Sequence, residues 1–266
     1  MEKPALLAIL GLGALALVAR ADESIAPNAA ADRAPVVQTV ALQASAGPLI
    51  VLDPGHGGGN AGAPGVTAEI HEKHVTMNLA QTLAPRLSEL GYRVVLTRHS
   101  DVYLTLRERV ARANRLGADL FVSLHANATE THAQRGYETF VLSPRAIDVD
   151  ARALRLTDGP ERPGLPADVA LVLDDIERGL AQPKAADLAA AIQAELRKVR
   201  DPADDRGVKQ ESQHVLLGAV MPAVLVEIGF VDHALEGREL LEEEVQSSIC
   251  DALVRALVAT LPPPAQ

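Results

Sequence analysis

The stretch LIVLDPGHGGG, residues 49–59, decides how the rest of the chain is read. Four uninterrupted apolar residues, Leu49 to Leu52, form a buried strand, and Asp53 and Pro54 close it. The glycines at 55, 57, 58 and 59 then leave little bulk beside His56, which is presented at the strand's carboxyl end. Downstream, short apolar runs alternate with amphipathic segments. Strands are expected at Tyr92–Leu96, Leu120–Leu124, Tyr137–Leu142, His214–Leu217 and Ala223–Ile228, and helices at Val75–Leu90, Leu104–Leu116, Ala185–Val199 and Glu236–Leu261. Strands interleaved with helices predict an α/β fold, a largely parallel sheet with helices on both faces. In such sheets ligands bind outside the carboxyl ends of the strands.

Composition narrows the class. Thirty-five acidic residues against 25 Lys and Arg give a formal charge of -10, which disfavours a nucleic-acid partner. With 266 residues the expectation is a single sizeable domain. Aromatic residues make up 2% and Trp is absent, so the core must be built from Ala, Leu, Val and Ile. The lone Cys250 permits neither an internal disulfide nor a cysteine zinc cluster.

At the start of the chain, Met1-Glu2-Lys3 precedes an apolar run from Pro4 to Ala19, with small residues at Ala19 and Ala21. This reads as a signal peptide over residues 1–21. The run is shorter than the roughly 20 residues that a membrane-spanning helix needs, so no stable span is expected after cleavage. Residues 22–46, rich in Ala, Pro, Ser and Asn, read as a linker, and 262–266, opening on three prolines, as a tail. The catalytic domain is then 47–261, in a protein secreted from the cytoplasm.

Two further strand ends carry chemistry. His125 closes the apolar run of DLFVSLHAN, residues 119–127, and Glu227 interrupts AVLVEIGF, residues 223–230. A charged Glu there needs a partner or a function. Two imidazoles and a carboxylate at one sheet edge are what a catalytic zinc ion takes, with a fourth position left open. The third ligand should come from AEIHEKHVTMNLA, residues 68–80, where spacing does not choose among Glu69, His71, Glu72 and His74. Any one of these side chains has an ordinary structural explanation. Three titratable groups on three different strand ends are much harder to explain that way.

With these residues in hand, the chain resembles the zinc-dependent N-acetylmuramoyl-L-alanine amidases of bacterial cell walls, the amidase-3 type. The strings that carry the resemblance are VLDPGHGG, HEKHVTMNLA, VVLTRHSDVYLTLRERVARAN, ADLFVSLHAN, RGVKQ and MPAVLVEIGFVDH, in family order between residues 51 and 233. The resemblance implies one Zn2+ held by His56, Glu72 and His125, with Glu72 selected because Lys73 follows it. It implies Glu227 as the catalytic carboxylate, a mixed sheet, and peptidoglycan as substrate, cut between N-acetylmuramic acid and the L-alanine of the stem peptide. It also implies a periplasmic location.

Smaller expectations attach to other residues. Asp53 is expected to orient the loop or the His56 ring as an acceptor behind it, and Asn127 and Arg98 to contact substrate. His71, His74 and His214 are expected not to be ligands. The stretch 146–184 is longer than an ordinary connection, and Val169, Val172, Leu173, Ile176 and Leu180 mark a short amphipathic helix within it. In placement it is similar to the insertion of Gram-negative division amidases, which covers the zinc cleft until an activator protein displaces it. A carboxylate such as Glu161 or Glu177 is the expected cap. Two competing readings are a secreted zinc carboxypeptidase or deacetylase, and a non-catalytic cell-wall-binding module.

Overall fold

The computed structural model describes residues 47–67, 69–143, 162–211 and 214–264. The expected signal peptide, the linker and the first part of the 146–184 segment lie outside the described residues. Six strands are present: β1 Leu49–Pro54, β2 Arg93–Leu96, β3 Leu120–Asn127, β4 Tyr137–Leu142, β5 Asp205–Glu211 and β6 Ala223–Phe230. The helices are α1 Glu72–Glu89, α2 Leu106–Leu116, α3 Ala167–Leu196, the short α4 Glu236–Glu239 and α5 Glu243–Thr260. The strands form one sheet in the order β2-β1-β3-β6-β4-β5. β2, β1, β3 and β6 run parallel, whereas β4 is antiparallel to β6 and parallel to β5, so the sheet is mixed.

The two-residue period of a strand divides the core in two. Ile50, Leu52, Val122, Leu124, Val224 and Val226 pack on the face covered by α1, α3 and α5. Leu49, Val51, Phe121 and Leu225 pack on the opposite face with Val110 and Ala113 of α2. Asp53, Ser123, His125 and Glu227 continue that second set in sequence phase, which brings them to the α2 side where the apolar strands give out.

Three expectations are corrected. His214–Leu216 is a single 3-10 turn, and the strand beside β4 is instead β5, DRGVKQE. As an edge strand it pairs with β4 alone and none of its residues is buried, so it carries no apolar run to betray it. The Glu236–Leu261 helix is broken into α4 and α5. The third correction concerns α3, which is one helix running through Pro183 rather than two.

A continuous helix has one rotational phase, and the buried Ala185, Leu188, Ile192 and Leu196 fix it for α3. Stepping back along that face reaches Ala181, Arg178 and Asp174, which are buried. Val172, Ile176 and Leu180 are consequently turned outward, 57%, 53% and 64% exposed. Most of the apolar stripe that marked the expected short helix therefore faces solvent, Val169 also being 41% exposed.

Candidate active site

His56 leaves β1 in the left-handed region, φ +60°, which is uncommon for a residue with a Cβ and marks a held conformation. Its Nδ1 lies 2.9 Å from Asn60 Oδ1. Its carbonyl accepts from Arg109 Nη2 at 2.8 Å. The free edge of the ring, Nε2, is 2.8 Å from Glu72 Oε2. Glu72 is the first residue of α1, where the exposed backbone amides of a helix start favour a carboxylate. Its Oε1 is 2.8 Å from His125 Nδ1 and accepts from Ala126 N, while Oε2 accepts from Ala63 N.

The ligand atoms of His56, Glu72 and His125 lie within 4.8 Å of one another, and among the described residues no other group of His, Cys, Asp and Glu converges in this way. Burial alone would raise the Glu72 carboxyl, but hydrogen bonds from His125 and His56 outweigh it and hold the group well below the usual carboxylate range. Burial likewise disfavours a charged His56, and the Glu72 carboxylate overrides this and raises the imidazole. A negative charge therefore sits between two imidazole nitrogens, a donor set of two N and one O that suits a divalent zinc ion. Two glycines keep the space open. A Cβ on Gly55 would stand 2.5 Å from His125 Cε1, and one on Gly62, which has φ +73°, would stand 2.7 Å from Glu72 Oε2. These residues fit the metal.

Glu227 pairs in register with His125 on the neighbouring strand. With His56, Glu72, His125, Asn127 and Leu106 it lines a cleft of about 550 Å³. Its Oε2 is shut off from solvent and has no hydrogen-bond partner. Burial, together with the carboxylates of Glu72 and Glu138, pushes the Glu227 carboxyl well above its ordinary range.

Asn127 also lines the cleft, its amide donating to Glu138 Oε1 at 3.0 Å. Arg98 does not reach it. Only 2% exposed, Arg98 spends its guanidinium on the carbonyls of Pro54, Gly55, Lys73 and Ser100, which ties the end of β1 and the start of α1 together. It braces the loop. Asp53 does not touch the His56 ring either. It is fully buried with Thr97, Ser123 and Arg109, and it is Arg109 that carries its influence to the His56 carbonyl.

His71 and His74 flank Glu72 without joining the cluster, and His74 Nδ1 accepts from the His71 amide at the start of α1. Glu177 is paired with Arg162 beside Ala118, Asp119 and Pro222, where β3 and β6 begin. The ligands stand at the other end of those strands, so Glu177 is not placed to cap a metal. Glu161 lies outside the described residues.

Three contributors escaped the sequence reading: Asn60, Arg109 and Glu138. Asn60 had a signal, a polar residue closing the GGG run. Arg109 looked like one charged residue among several on α2, and only its 2% exposure separates it. Glu138 gains its place through the antiparallel register that sets it opposite Glu227.

Comparison with known proteins identifies the family. Residues 50–259 match the family model described as N-acetylmuramoyl-L-alanine amidase, of the amidase-3 type. The chain is 31% identical over 223 residues to the N-acetylmuramoyl-L-alanine amidase AmiC of Neisseria meningitidis, covering 78% of this chain but 52% of that one. It thus spans about half the length of that relative. It is 29% identical to YqiI of Bacillus subtilis, covering 79% and 84%. The crystal structure of N-acetylmuramoyl-L-alanine amidase from Clostridium difficile 630 superposes with a TM-score of 0.62 at 26% identity, covering 80% of this chain and 96% of that one. The chain belongs to the N-acetylmuramoyl-L-alanine amidase family of the amidase-3 type.

Proposed function

We propose that this protein hydrolyses the amide joining the lactyl group of N-acetylmuramic acid to the L-alanine of the peptidoglycan stem peptide, with zinc held by His56, Glu72 and His125. The observation that carries this reading is the convergence of those three side chains with Glu227 in one cleft, on the fold of cell-wall amidases. Zinc, when bound, acidifies its water and polarises the amide carbonyl. The rest falls to the chain. Glu72 is oriented by Ala63 N and Ala126 N, and Asn60 fixes the His56 ring. Glu227, as the carboxylate, takes the proton of the attacking water, its buried setting making it a stronger base than an ordinary carboxylate, and then passes that proton to the departing nitrogen, since an amide nitrogen is a poor leaving group until protonated. Asn127, held by Glu138, stands where it can orient the substrate.

Isolated sacculi incubated with the purified chain from residue 22 test bond and metal together. Peptides with a free N-terminal L-alanine are expected in the soluble fraction by mass spectrometry, abolished by a zinc chelator and restored by added Zn2+. Release of shortened stem peptides or free acetate by zinc-loaded protein would instead assign a carboxypeptidase or deacetylase.

The same reading places the protein in the periplasm after removal of residues 1–21; no helix among the described residues is long and apolar enough to cross a membrane. We extend it to regulation by an activator protein. The exposed stripe of Val172, Ile176 and Leu180 on α3 supports a docking face for such a partner. Restraint of the resting enzyme is assigned to the 146–184 segment. Deleting 147–160, which leaves α3 whole, is expected to raise turnover on sacculi severalfold. Unchanged turnover in a folded deletion variant removes autoinhibition from the proposal.

A further inference from the structure

The chain has three Tyr, three Phe and no Trp. Five of the six rings are buried, Tyr92, Phe121, Tyr137, Phe140 and Phe230 all being 6% exposed or less. Tyr103 is 55% exposed. It stands beside the loop that carries His56, and the structure holds it there from both sides. Before it, Asp101 accepts from Gly58 N at 2.7 Å and from Lys73 Nζ at 2.6 Å, and Lys73 also donates to Gly58 O. After it, Thr105 caps α2, its hydroxyl accepting from Glu108 N while Glu108 accepts from Thr105 N. The approach is close enough to require glycine. A Cβ on Gly57, φ +129°, would lie 2.2 Å from Val102 O, and one on Gly58, φ +57°, would lie 2.7 Å from Tyr103 N.

Val102 and Leu106, 45% and 47% exposed, extend the apolar surface, and Leu106 also lines the metal cleft. Three side chains are far too little area for a stable protein interface, which buries about 1,200 Å² or more. They match a single small ring. The opposite flank of the cleft is different in kind, with Asn127 bound to Glu138 and Glu138 paired to Arg206 at 3.0 Å.

The two sides of the scissile amide differ in the same way. On the acyl side is an N-acetylated pyranose, whose ring face presents C–H groups. On the amine side is a peptide of small side chains, amides and carboxylates. The electron-rich face of an aromatic ring attracts polarised C–H groups, and the phenol oxygen stays in water.

We propose that Tyr103, with Val102 and Leu106, is a glycan-binding platform that stacks against a sugar ring of the strand, so that the glycan runs along the α2 side of the cleft and the stem peptide toward β4 and β5. The choice of a glycan and this orientation both rest on the amidase reading, whereas binding through Tyr103 is measured without hydrolysis.

The full chain, its Tyr103→Ala variant and its Tyr103→Phe variant are titrated with glycan strands stripped of stem peptides. Binding is followed by co-sedimentation and by tyrosine fluorescence, which has no tryptophan background. Tyr103→Ala is expected to weaken binding at least fivefold, and Tyr103→Phe to stay within twofold because it keeps the ring face. In turnover, the kcat/KM ratio for glycan-linked peptide over a lactyl-peptide lacking the sugar should fall at least fivefold in Tyr103→Ala, through KM. Glycan binding by a folded Tyr103→Ala variant that equals wild type overturns the platform, whether or not the protein is hydrolytic. Tyr103-dependent binding by a zinc-loaded protein that releases no peptide would leave the platform standing and remove the amidase reading instead.

Discussion

Glu227→Gln is expected to bind one zinc per chain as the wild type does and to lose two to four orders of magnitude in kcat, the range a positioned general acid–base group supplies. His56→Ala, by contrast, should lose metal and turnover together. The distinction comes from geometry. Glu72 accepts from both imidazoles, whereas Glu227 sits one strand over from His125 and its Oε2 engages none of the three. Gln keeps the shape and an acceptor oxygen but can neither take nor return a proton. Metal analysis of both purified variants decides the matter, and equal zinc loss would make Glu227 a ligand. A second effect should accompany the first. Since burial, Glu72 and Glu138 raise the Glu227 carboxyl in the folded state, ionisation is easier in the unfolded chain, and stability is lost as pH rises above the ordinary carboxylate range. In the metal-free protein, Glu227→Gln should therefore unfold at a higher denaturant concentration than wild type at neutral pH, with the difference shrinking as pH falls toward the ordinary carboxylate range. A residue kept at a cost to stability is what a working site would hold.

The parts of this molecule legible in sequence are those governed by local pattern. Apolar runs identified β1, β3, β4 and β6, and Gly-rich punctuation exposed His56. His125 and Glu227 stood out as charged or titratable residues at the ends of otherwise apolar strands. What sequence could not carry was phase and register. The apolar residues at the start of α3 marked an amphipathic helix, yet the side that faces the core is chosen by Ala185 to Leu196 further along the same helix. β5 was missed because an edge strand has no second neighbour and needs no apolar face. Glu138 joins the site only because β4 runs against β6, a fact no periodicity contains. The choice of Glu72 over its neighbours likewise came from family resemblance. In the fold it follows from the start of α1, which aims Glu72 at both imidazoles while His71 and His74 engage each other.

Arg109→Met should produce the largest loss of stability, about 3–5 kcal/mol in chemical denaturation, the cost of removing one partner of a buried ion pair. Asp53 is fully buried at the end of β1, and Arg109 meets it at 2.8 Å from the neighbouring α2. Thr97 and Ser123 also donate to Asp53, but neither brings a compensating charge. The stranded carboxylate, rather than the lost contact, is what destabilises the variant. Adding Asp53→Asn to Arg109→Met should therefore recover part of the loss, and a double variant as unstable as the sum of the two singles would contradict this account. The same substitution reaches the site, because Arg109 also donates to the carbonyls of Pro54 and His56. His56 holds a left-handed backbone that only its surroundings can maintain. Without Arg109 that restraint weakens, and zinc affinity measured against a competing chelator should fall about 10- to 100-fold. The double variant restores charge balance but not the donor to His56, so it should recover stability while remaining weak in metal binding. That separation would show that one arginine does two jobs, closing the charge balance of the core and fixing the backbone of His56, the first of the proposed zinc ligands.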